Sequence, residues 1–174
     1  MKLISLNIYG GKVFAPLVKF IERSADGTDI FCFQEVFHST SEIVESHGTR
    51  MNVLDDIANA LPDFLWYFSP VQDRFDLDGP VNFDASLGQA TFIRKTIAVQ
   101  SERSVFVYRE RNSGLDTTNI PASVQCLRFT ADDKQFTVGN FHGLAFPGHK
   151  LDTPDRIVQS EKLKEFLDGE KNAK

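Results

Sequence analysis

The stretch that decides the fold is Asp29-Ile30-Phe31-Cys32-Phe33-Gln34-Glu35, an apolar run that ends in a glutamine and a glutamate. Aromatic and β-branched side chains without alternation predict a strand that is buried on both faces. A polar end on such a strand needs a reason. Because a carboxylate at the carboxyl end of a core strand can hold a metal ion at the rim of a sheet, Glu35 is the principal candidate metal ligand.

Length and composition describe an ordinary globular protein. The 174 residues suit one domain, and the balance of 19 Lys and Arg against 24 Asp and Glu gives a formal net charge of −5, which does not support a broad grip on nucleic acid. No segment approaches the roughly 20 apolar residues of a membrane-spanning helix, and no secretory signal is visible. We therefore expect a cytoplasmic protein with no transmembrane segment, in which Cys32 and Cys126 are buried free thiols.

The first part of the chain predicts a strand, a helix and a second strand. Residues 3–8 are mostly apolar and contain Asn7 just before two glycines, and residues 13–23 carry apolar side chains at helical spacing. Because a crossover helix of this length joins parallel strands, Asn7 and Glu35 should lie at the same edge of the sheet. A helix at residues 52–61, a strand at residues 64–69 and a long surface loop at residues 70–86 follow.

The second half of the chain predicts closely spaced, mainly antiparallel strands. These runs are rich in Phe, Val, Thr and Ile and are joined by turn residues. The capping residue before proline in Asp152-Thr153-Pro154-Asp155 predicts the start of a helix that runs to Gly169. The predicted strands are residues 89–94, 97–108, 123–130 and 135–141, with a hairpin turn at 131–134 and a loop tip at 112–114.

A third polar strand end is Val138-Gly139-Asn140-Phe141-His142-Gly143. A histidine at a strand end can donate a hydrogen bond to phosphate oxygens, or act as an acid or base near neutral pH. Taken singly, Asn7, Glu35 and His142 each have an ordinary explanation as a turn amide, a solvated acid and a loop histidine. Together they indicate a site, because each ends a predicted core strand.

Other candidate residues favour structural roles. The stretch Arg74-Phe75-Asp76-Leu77-Asp78-Gly79 fails as a calcium loop, because its first position is arginine and its twelfth is alanine. Three arginines suit a phosphate-facing surface and solvated strand positions equally well. The predicted turn residues are His38, Ser39 and Ser41, the predicted exposed loop residues are His47 and His149, and the three arginines are Arg94, Arg103 and Arg109.

In this order, the motifs resemble those of the endonuclease/exonuclease/phosphatase superfamily, the fold of deoxyribonuclease I. Leu6-Asn7-Ile8-Tyr9-Gly10 is similar to its first motif, and Phe33-Gln34-Glu35 to its second, which supplies a magnesium-binding glutamate. Gly88-Gln89-Ala90-Thr91-Phe92-Ile93-Arg94 resembles its small-residue central strand. Gly139-Asn140-Phe141-His142 resembles the strand with the phosphate-contacting histidine. The usual helix after that strand is matched by Arg156, Gln159 and Leu163.

The resemblance implies an α/β (α+β) fold: an incomplete four-layer α/β sandwich of two mixed sheets flanked by helices, formed by one domain over residues 1–174 that stops before its last strands. It implies Mg²⁺, with Mn²⁺ as the alternative, bound by Glu35 and Asn7. The catalytic residues that it implies are His142, Asn7 and Asn140. The implied substrate is a phosphoester: a nucleic acid, a phospholipid or a phosphorylated small molecule.

The sequence departs from the family in one respect. The family's later Gly-Asp-x-Asn and Ser-Asp-His motifs occur nowhere in the 174 residues. Two hypotheses stay open. The first is a metal-dependent phosphoester hydrolase, a phosphodiesterase, nuclease or phosphatase, in which water attacks a metal-bound phosphate. The second is a catalytically incomplete fragment or half-domain that acts only with a partner chain, and whose unfinished sheet promotes self-association.

Overall fold

The computed structural model describes residues 1–111, 120–145 and 151–172. The predicted loop tip at 112–114 and His149 lie outside these ranges. The helices are α1 Phe14–Ala25, α2 Val53–Ala60 and α3 Pro154–Asn172, and a 3-10 turn spans Tyr9–Gly11. The strands are β1 Leu3–Asn7, β2 Ile30–His38, β3 Glu45–Ser46, β4 Thr49–Arg50, β5 Phe64–Asp73, β6 Phe75–Asp76, β7 Gly79–Pro80, β8 Ser86–Arg94, β9 Ala98–Tyr108, β10 Ala122–Ala131 and β11 Lys134–Phe141.

The first sheet has four strands in the order β1-β2-β8-β5. Strands β1 and β2 are parallel, with Asn7 opposite Gln34, which confirms the predicted crossover. Strand β8 runs antiparallel to both of its neighbours, β2 and β5. The central strand β2 is buried on both faces: Phe31 and Phe33 pack in the helix-side core, whereas Cys32 packs with residues of the second sheet. This double burial explains why its sequence does not alternate.

The second sheet has three antiparallel strands in the order β11-β10-β9. The hairpin turn predicted at residues 131–134 is confirmed, with Ala131 opposite Lys134. Helix α3 covers this sheet with Leu163 and Phe166. The predicted α/β class is therefore confirmed. The strands of the second half were predicted to be mainly antiparallel, and β9, β10 and β11 are antiparallel. Of the two sheets that the resemblance implied to be mixed, only the first is mixed among the described strands.

Two local predictions differ from the structure. The segment predicted as a loop at residues 70–86 instead extends β5 and then forms the short β6–β7 hairpin, in which Phe75 and Asp76 are buried. In α1, Leu17 and Ile21 are buried as expected, but Val13 and Phe20 are 61% and 42% exposed. Both differences arise from tertiary packing, which the local sequence does not show. Packing buries the polar β6–β7 hairpin, and it covers only a narrow face of α1.

The two cysteines lie in β2 and β10. Cys32 and Cys126 are free and buried, as predicted, and burial raises the pKa of each thiol to about 11. Such thiols are inert because the reactive thiolate is rare at neutral pH. Within the described ranges, no helix has both the length and the apolar character needed to cross a membrane.

Candidate active site

Glu35 occupies a bulge within β2. The strand was predicted to end at this residue, but it continues to His38 because Val36 and Phe37 are fully buried and pair with β8. The register shifts between Gln34 and Val36, and Glu35 has a left-handed φ of 56°. A bulge of this kind re-aims a side chain, and a non-glycine residue in this conformation carries backbone strain. The bulge thus explains a polar residue inside an apolar strand.

Asn7, Glu35 and His142 meet at one place, as the strand pattern predicted. The Nδ2 atom of Asn7 donates a hydrogen bond of 2.9 Å to Oε1 of Glu35 and lies 3.3 Å from Nε2 of His142. Nε2 of His142 is 3.7 Å from the same oxygen of Glu35. His142 follows β11 of the second sheet, so the cluster joins side chains from both sheets. Oδ1 of Asn7 accepts the backbone N–H of Tyr9 at 2.9 Å, which fixes the amide.

The second carboxylate oxygen of Glu35 fits a cation. Oε2 is buried and has no hydrogen-bond partner among the described residues, whereas Oε1 is held by Asn7. A buried anionic oxygen that lacks a donor is costly, and a bound cation would satisfy it. Carboxylate oxygens are also the ligands that Mg²⁺ prefers. Glu35 is therefore chemically suited to hold such an ion.

Asn140 lies behind the cluster and does not line the cavity. It is 1% exposed, and its Oδ1 accepts a 2.7 Å hydrogen bond from Nε2 of Gln34. Its Nδ2 donates to the carbonyl oxygens of Phe33 and Ala90, both at 3.1 Å. These contacts connect β11 to β2 and β8 through the interior. Its catalytic role stays a prediction, and the geometry favours a role in positioning.

A cavity of about 570 Å³ opens beside Glu35 and His142. It lies between the two sheets' ends, the β6–β7 hairpin and the start of α3. Acidic, aromatic and aliphatic side chains surround it. Its lining includes Tyr9, Glu35, Val71, Phe75, Leu77, Asp78, Leu87, Gly88, Gln89, Tyr108, Ile120, Pro121, Ala122, Ser123, His142, Gly143, Leu144, Ala145 and Asp155.

The β6–β7 hairpin beside the cavity is held by Asp76, a residue whose role the sequence analysis missed. Its Oδ2 accepts hydrogen bonds from Ser46 and His47 at 2.6 and 2.8 Å, and its Oδ1 accepts the backbone N–H groups of Asp78 and Gly79, both at 2.9 Å. Burial alone would raise the pKa of Asp76, but these hydrogen bonds outweigh it and lower the pKa. The Asp-x-x-Gly spacing is typical of such a turn and was the available signal.

His47, Asp76 and Asp78 also form a group whose potential metal-ligand atoms lie within 4.8 Å of one another. The hydrogen bonds explain this group without an ion. Both oxygens of Asp76 already accept two donors each, and Asp78 forms a 2.8 Å ion pair with Lys12. His47, predicted to be an exposed loop residue, is 69% exposed but pairs with Asp76. We therefore interpret the group as a clamp on the hairpin.

The arginines considered for a phosphate-facing surface have structural partners. Arg94 donates to the carbonyl oxygen of Thr28 at 3.0 Å, and Arg103 pairs with the buried Glu170 at 2.7 Å. Arg109 lies over the ring of Tyr108, 5.4 Å from its centroid. None of the three lines the cavity.

Helix α3 supports the loop that follows His142. Oε1 of Gln159 accepts the backbone N–H of Leu144 at 3.4 Å, and the Arg156 guanidinium donates to the carbonyl oxygen of Ala145 at 3.2 Å. The predicted cap is present, because Thr153 Oγ1 accepts the backbone N–H of Arg156 at 3.3 Å. Gln159 and Arg156 therefore hold the backbone of the loop beside His142.

Comparison with known proteins identifies the fold. No protein-family model matches the sequence, and no curated protein matches it. Among solved structures, an endonuclease/exonuclease/phosphatase family protein from Leptotrichia buccalis matches with a TM-score of 0.65 and 12% identity, over 97% of this chain and 62% of that chain. A mannosyl-6-phosphatase from Bacteroides thetaiotaomicron matches with a TM-score of 0.64 and 16% identity, over 99% of this chain and 60% of that chain.

The human Nocturnin catalytic domain with bound sulfate matches with a TM-score of 0.58 and 16% identity, over 96% of this chain and 57% of that chain. The protein thus has the deoxyribonuclease I-like fold of the endonuclease/exonuclease/phosphatase structures. The fold that the sequence motifs predicted is therefore confirmed. The chain spans about three-fifths of the length of these structures.

Proposed function

We propose that this chain carries the metal- and phosphate-binding part of a phosphoester hydrolase. The observation that carries the proposal is the meeting of Glu35 and His142. They come from different sheets, both line the cavity, and Nε2 of His142 lies 3.7 Å from Oε1 of Glu35. Two structures with the same fold support it by their descriptions, since one is a mannosyl-6-phosphatase and the other binds sulfate, a tetrahedral anion like phosphate.

Glu35 is the proposed ligand of Mg²⁺, with Mn²⁺ as the alternative. Asn7 donates to Oε1 and leaves Oε2 for the ion, so we assign Asn7 first to the orientation of Glu35 and second to the metal site. Mg²⁺ commonly keeps several waters and takes only one or two carboxylates. When bound, such an ion polarises phosphoryl oxygens and offsets the charge that develops on them.

His142 is the proposed contact to the phosphate. Its side chain is 41% exposed at the cavity, and a ring N–H can donate to a phosphate oxygen. Asn140 is proposed to act through Gln34, by fixing the strand of Glu35 against the strand of His142. The proposal assigns no general base. The proposed compartment is the cytoplasm, which suits two free thiols.

The experiment that tests the proposal is hydrolysis of bis-p-nitrophenyl phosphate and p-nitrophenyl phosphate with Mg²⁺, with Mn²⁺ and with EDTA. We expect metal-dependent turnover that falls by about 100-fold or more in Glu35→Ala and in His142→Ala, because each removes a group that stabilises the phosphate charge. Glu22→Ala, on the exposed face of α1, is the matched control. Equal rates for the wild type and Glu35→Ala would exclude the assigned role of Glu35.

The sheet edges favour a second candidate, a half-domain that works only with a partner chain. Strands β1 and β11 each have a neighbour on one side only among the described strands. Leu3 on β1 and Phe136 on β11 are 46% and 37% exposed. Open edges of this kind are templates for pairing with another chain. Analytical ultracentrifugation separates the two candidates: a compact monomer that hydrolyses the substrates above would exclude the half-domain.

A further inference from the structure

The cavity beside Glu35 and His142 has acidic and apolar walls, and this composition indicates the class of substrate. We propose that the site takes a compound with a single phosphate ester on an uncharged, hydroxylated ring, such as a sugar or a nucleoside. The inference rests on the proposed function, because it takes Glu35 and His142 as the phosphate end of the cavity.

The size of the cavity suits a small molecule. Its volume of about 570 Å³ falls within the roughly 300–1,000 Å³ that is usual for small-molecule sites. The walls come from both sheets and from the start of α3, so a ligand would be enclosed on several sides. A long polynucleotide would instead need an open basic groove, whereas the described residues that line this cavity include no lysine or arginine.

The charges of the walls oppose a second phosphate. Among the described residues that line the cavity, Glu35, Asp78 and Asp155 are acidic, and none is a lysine or an arginine. His142 is the lining side chain that can become cationic, and it is assigned to the first phosphate. Glu35 is assigned to the metal ion, so a second phosphate, carrying up to two negative charges, would meet the carboxylate of Asp155 with no lysine or arginine among the described lining residues to offset it.

Three described cations on the segments that border the cavity are already engaged. Lys12 forms a 2.8 Å ion pair with Asp78, so this pair presents little net charge to the cavity. Arg156 donates to the carbonyl oxygen of Ala145, and Arg109 lies over the ring of Tyr108. Neither guanidinium lines the cavity. Rearrangement to reach a second phosphate would break these contacts.

The remaining walls suit a ring with hydroxyl groups. Tyr9 is 56% exposed at the cavity, and Leu77 and Leu144 add aliphatic surface against which a ring face can pack. The carboxylate of Asp155 accepts the Tyr108 hydroxyl at 3.3 Å and has acceptor capacity left for a ligand hydroxyl. Apolar walls with a few polar acceptors are typical of sites for neutral ring compounds.

The test is equilibrium binding to the full chain in Mg²⁺ by isothermal titration calorimetry. The ligand pairs are glucose 6-phosphate with glucose 1,6-bisphosphate, and adenosine 5′-monophosphate with adenosine 3′,5′-bisphosphate. We expect the monophosphate of at least one pair to bind about tenfold or more tightly than its bisphosphate. Equal or tighter binding of both bisphosphates, or no binding of either monophosphate, would overturn the inference.

A charge-reversal variant locates the effect. Asp155→Lys places a cation at the exposed start of α3, on the cavity wall, and should reduce the preference for the monophosphate by about tenfold. Asp63→Lys, at an exposed position between α2 and β5, makes the same change of net charge and should leave the preference as it was. Equal shifts in the two variants would show that net charge, not the cavity, sets the preference, and would contradict the inference.

Failure of this inference is distinguishable from failure of the proposed function. Turnover of bis-p-nitrophenyl phosphate that does not depend on Glu35 would overturn the catalytic proposal. The ratio of monophosphate to bisphosphate binding needs no turnover and tests the cavity by itself. Metal-dependent turnover together with tight bisphosphate binding would leave the hydrolase proposal standing and remove the substrate class.

Discussion

The side chains of Gln34 and Asn140 are joined across the two sheets by a hydrogen bond of 2.7 Å. Gln34 precedes Glu35 on β2, and Asn140 lies on β11, two residues before His142, which follows that strand. The pair is buried. Asn140 accepts from Gln34 through Oδ1, and its Nδ2 donates to carbonyl oxygens of the first sheet. Buried polar groups that satisfy one another fix a unique packing. This amide pair therefore sets how the strand of Glu35 meets the strand of His142.

The amide pair should show strong coupling in a double-mutant cycle. Gln34→Leu leaves the buried Oδ1 of Asn140 without its donor. Asn140→Leu leaves Nε2 of Gln34 with only its 3.2 Å contacts to Ser5 and Cys32. An unsatisfied buried group costs about 1–3 kcal/mol. The double variant leaves neither partner stranded, so its loss of unfolding free energy should be smaller than the sum of the two single losses. Urea unfolding measures all four proteins. Additive losses would show that the two side chains act independently.

The meeting of Asn7 with Glu35 was predictable because it depends on local sequence. The parallel β1–β2 pair follows from the crossover helix between them, and it brings Asn7 to Glu35. The approach of His142 was suggested only by the similarity of its strand end. Its 3.7 Å distance from Glu35 depends on the packing of one sheet on the other, which has no local signal.

The bulge at Glu35 and the β6–β7 hairpin were not predicted. The bulge exists because Val36 pairs with Gly88 on β8, more than 50 residues away, and a pairing of this kind is not encoded in the strand itself. The hairpin residues look like a polar loop because the partners of Asp76 include Ser46 and His47 from a distant turn. Both features depend on non-local contacts.

Gly88 should be the least replaceable glycine at the cavity. A Cβ atom at this position would lie 2.3 Å from the Ser69 carbonyl oxygen and 2.8 Å from the Cα of Pro70, and both are backbone atoms of the adjacent strand. We expect Gly88→Ala to lower the unfolding free energy by about 3 kcal/mol or more, because the pairing of β8 with β5 must shift. Thermal and urea unfolding measure the loss.

Gly169 is the matched control for Gly88. It lies in α3, and a Cβ atom there would meet nothing within 4 Å. Gly169→Ala should raise the unfolding free energy by about 0.5–1 kcal/mol, because alanine restricts the unfolded chain and favours the helix. If both substitutions changed the unfolding free energy in the same direction, the strands β8 and β5 would not approach as closely at Gly88 as the structure shows.

The pairing of His47 with Asp76 should make the stability of the cavity wall depend on pH. The hydrogen bond with Asp76 raises the pKa of His47, so its contribution is full below the unfolded pKa of about 6.5 and is lost as pH rises through the higher folded pKa. The lowered pKa of Asp76 sets the lower end of the pH range. The contribution of Asp76 to the unfolding free energy is full above about pH 4 and is lost as pH falls through its folded pKa.

The pair should therefore stabilise the fold most between about pH 4 and pH 6.5. The difference in unfolding free energy between the wild type and His47→Asn, measured in urea at a series of pH values, should be largest in this window and decline on both sides. Asparagine is the matched substitution because it tolerates the left-handed φ of 47° at this position. A difference that stays constant from pH 5 to pH 9 would contradict the pairing.

The left-handed backbone of Glu35 predicts that the residue is kept at a cost to stability. Glu35→Gly and Glu35→Ala both remove the carboxylate, but only glycine adopts a φ of 56° without strain. In metal-free buffer, the glycine variant should therefore be more stable than the alanine variant by about 1 kcal/mol in urea unfolding. At the exposed helical residue Lys19 the order should reverse, since glycine is the poorer helix former. Equal stabilities of the two Glu35 variants would show that the bulge relaxes and carries no strain.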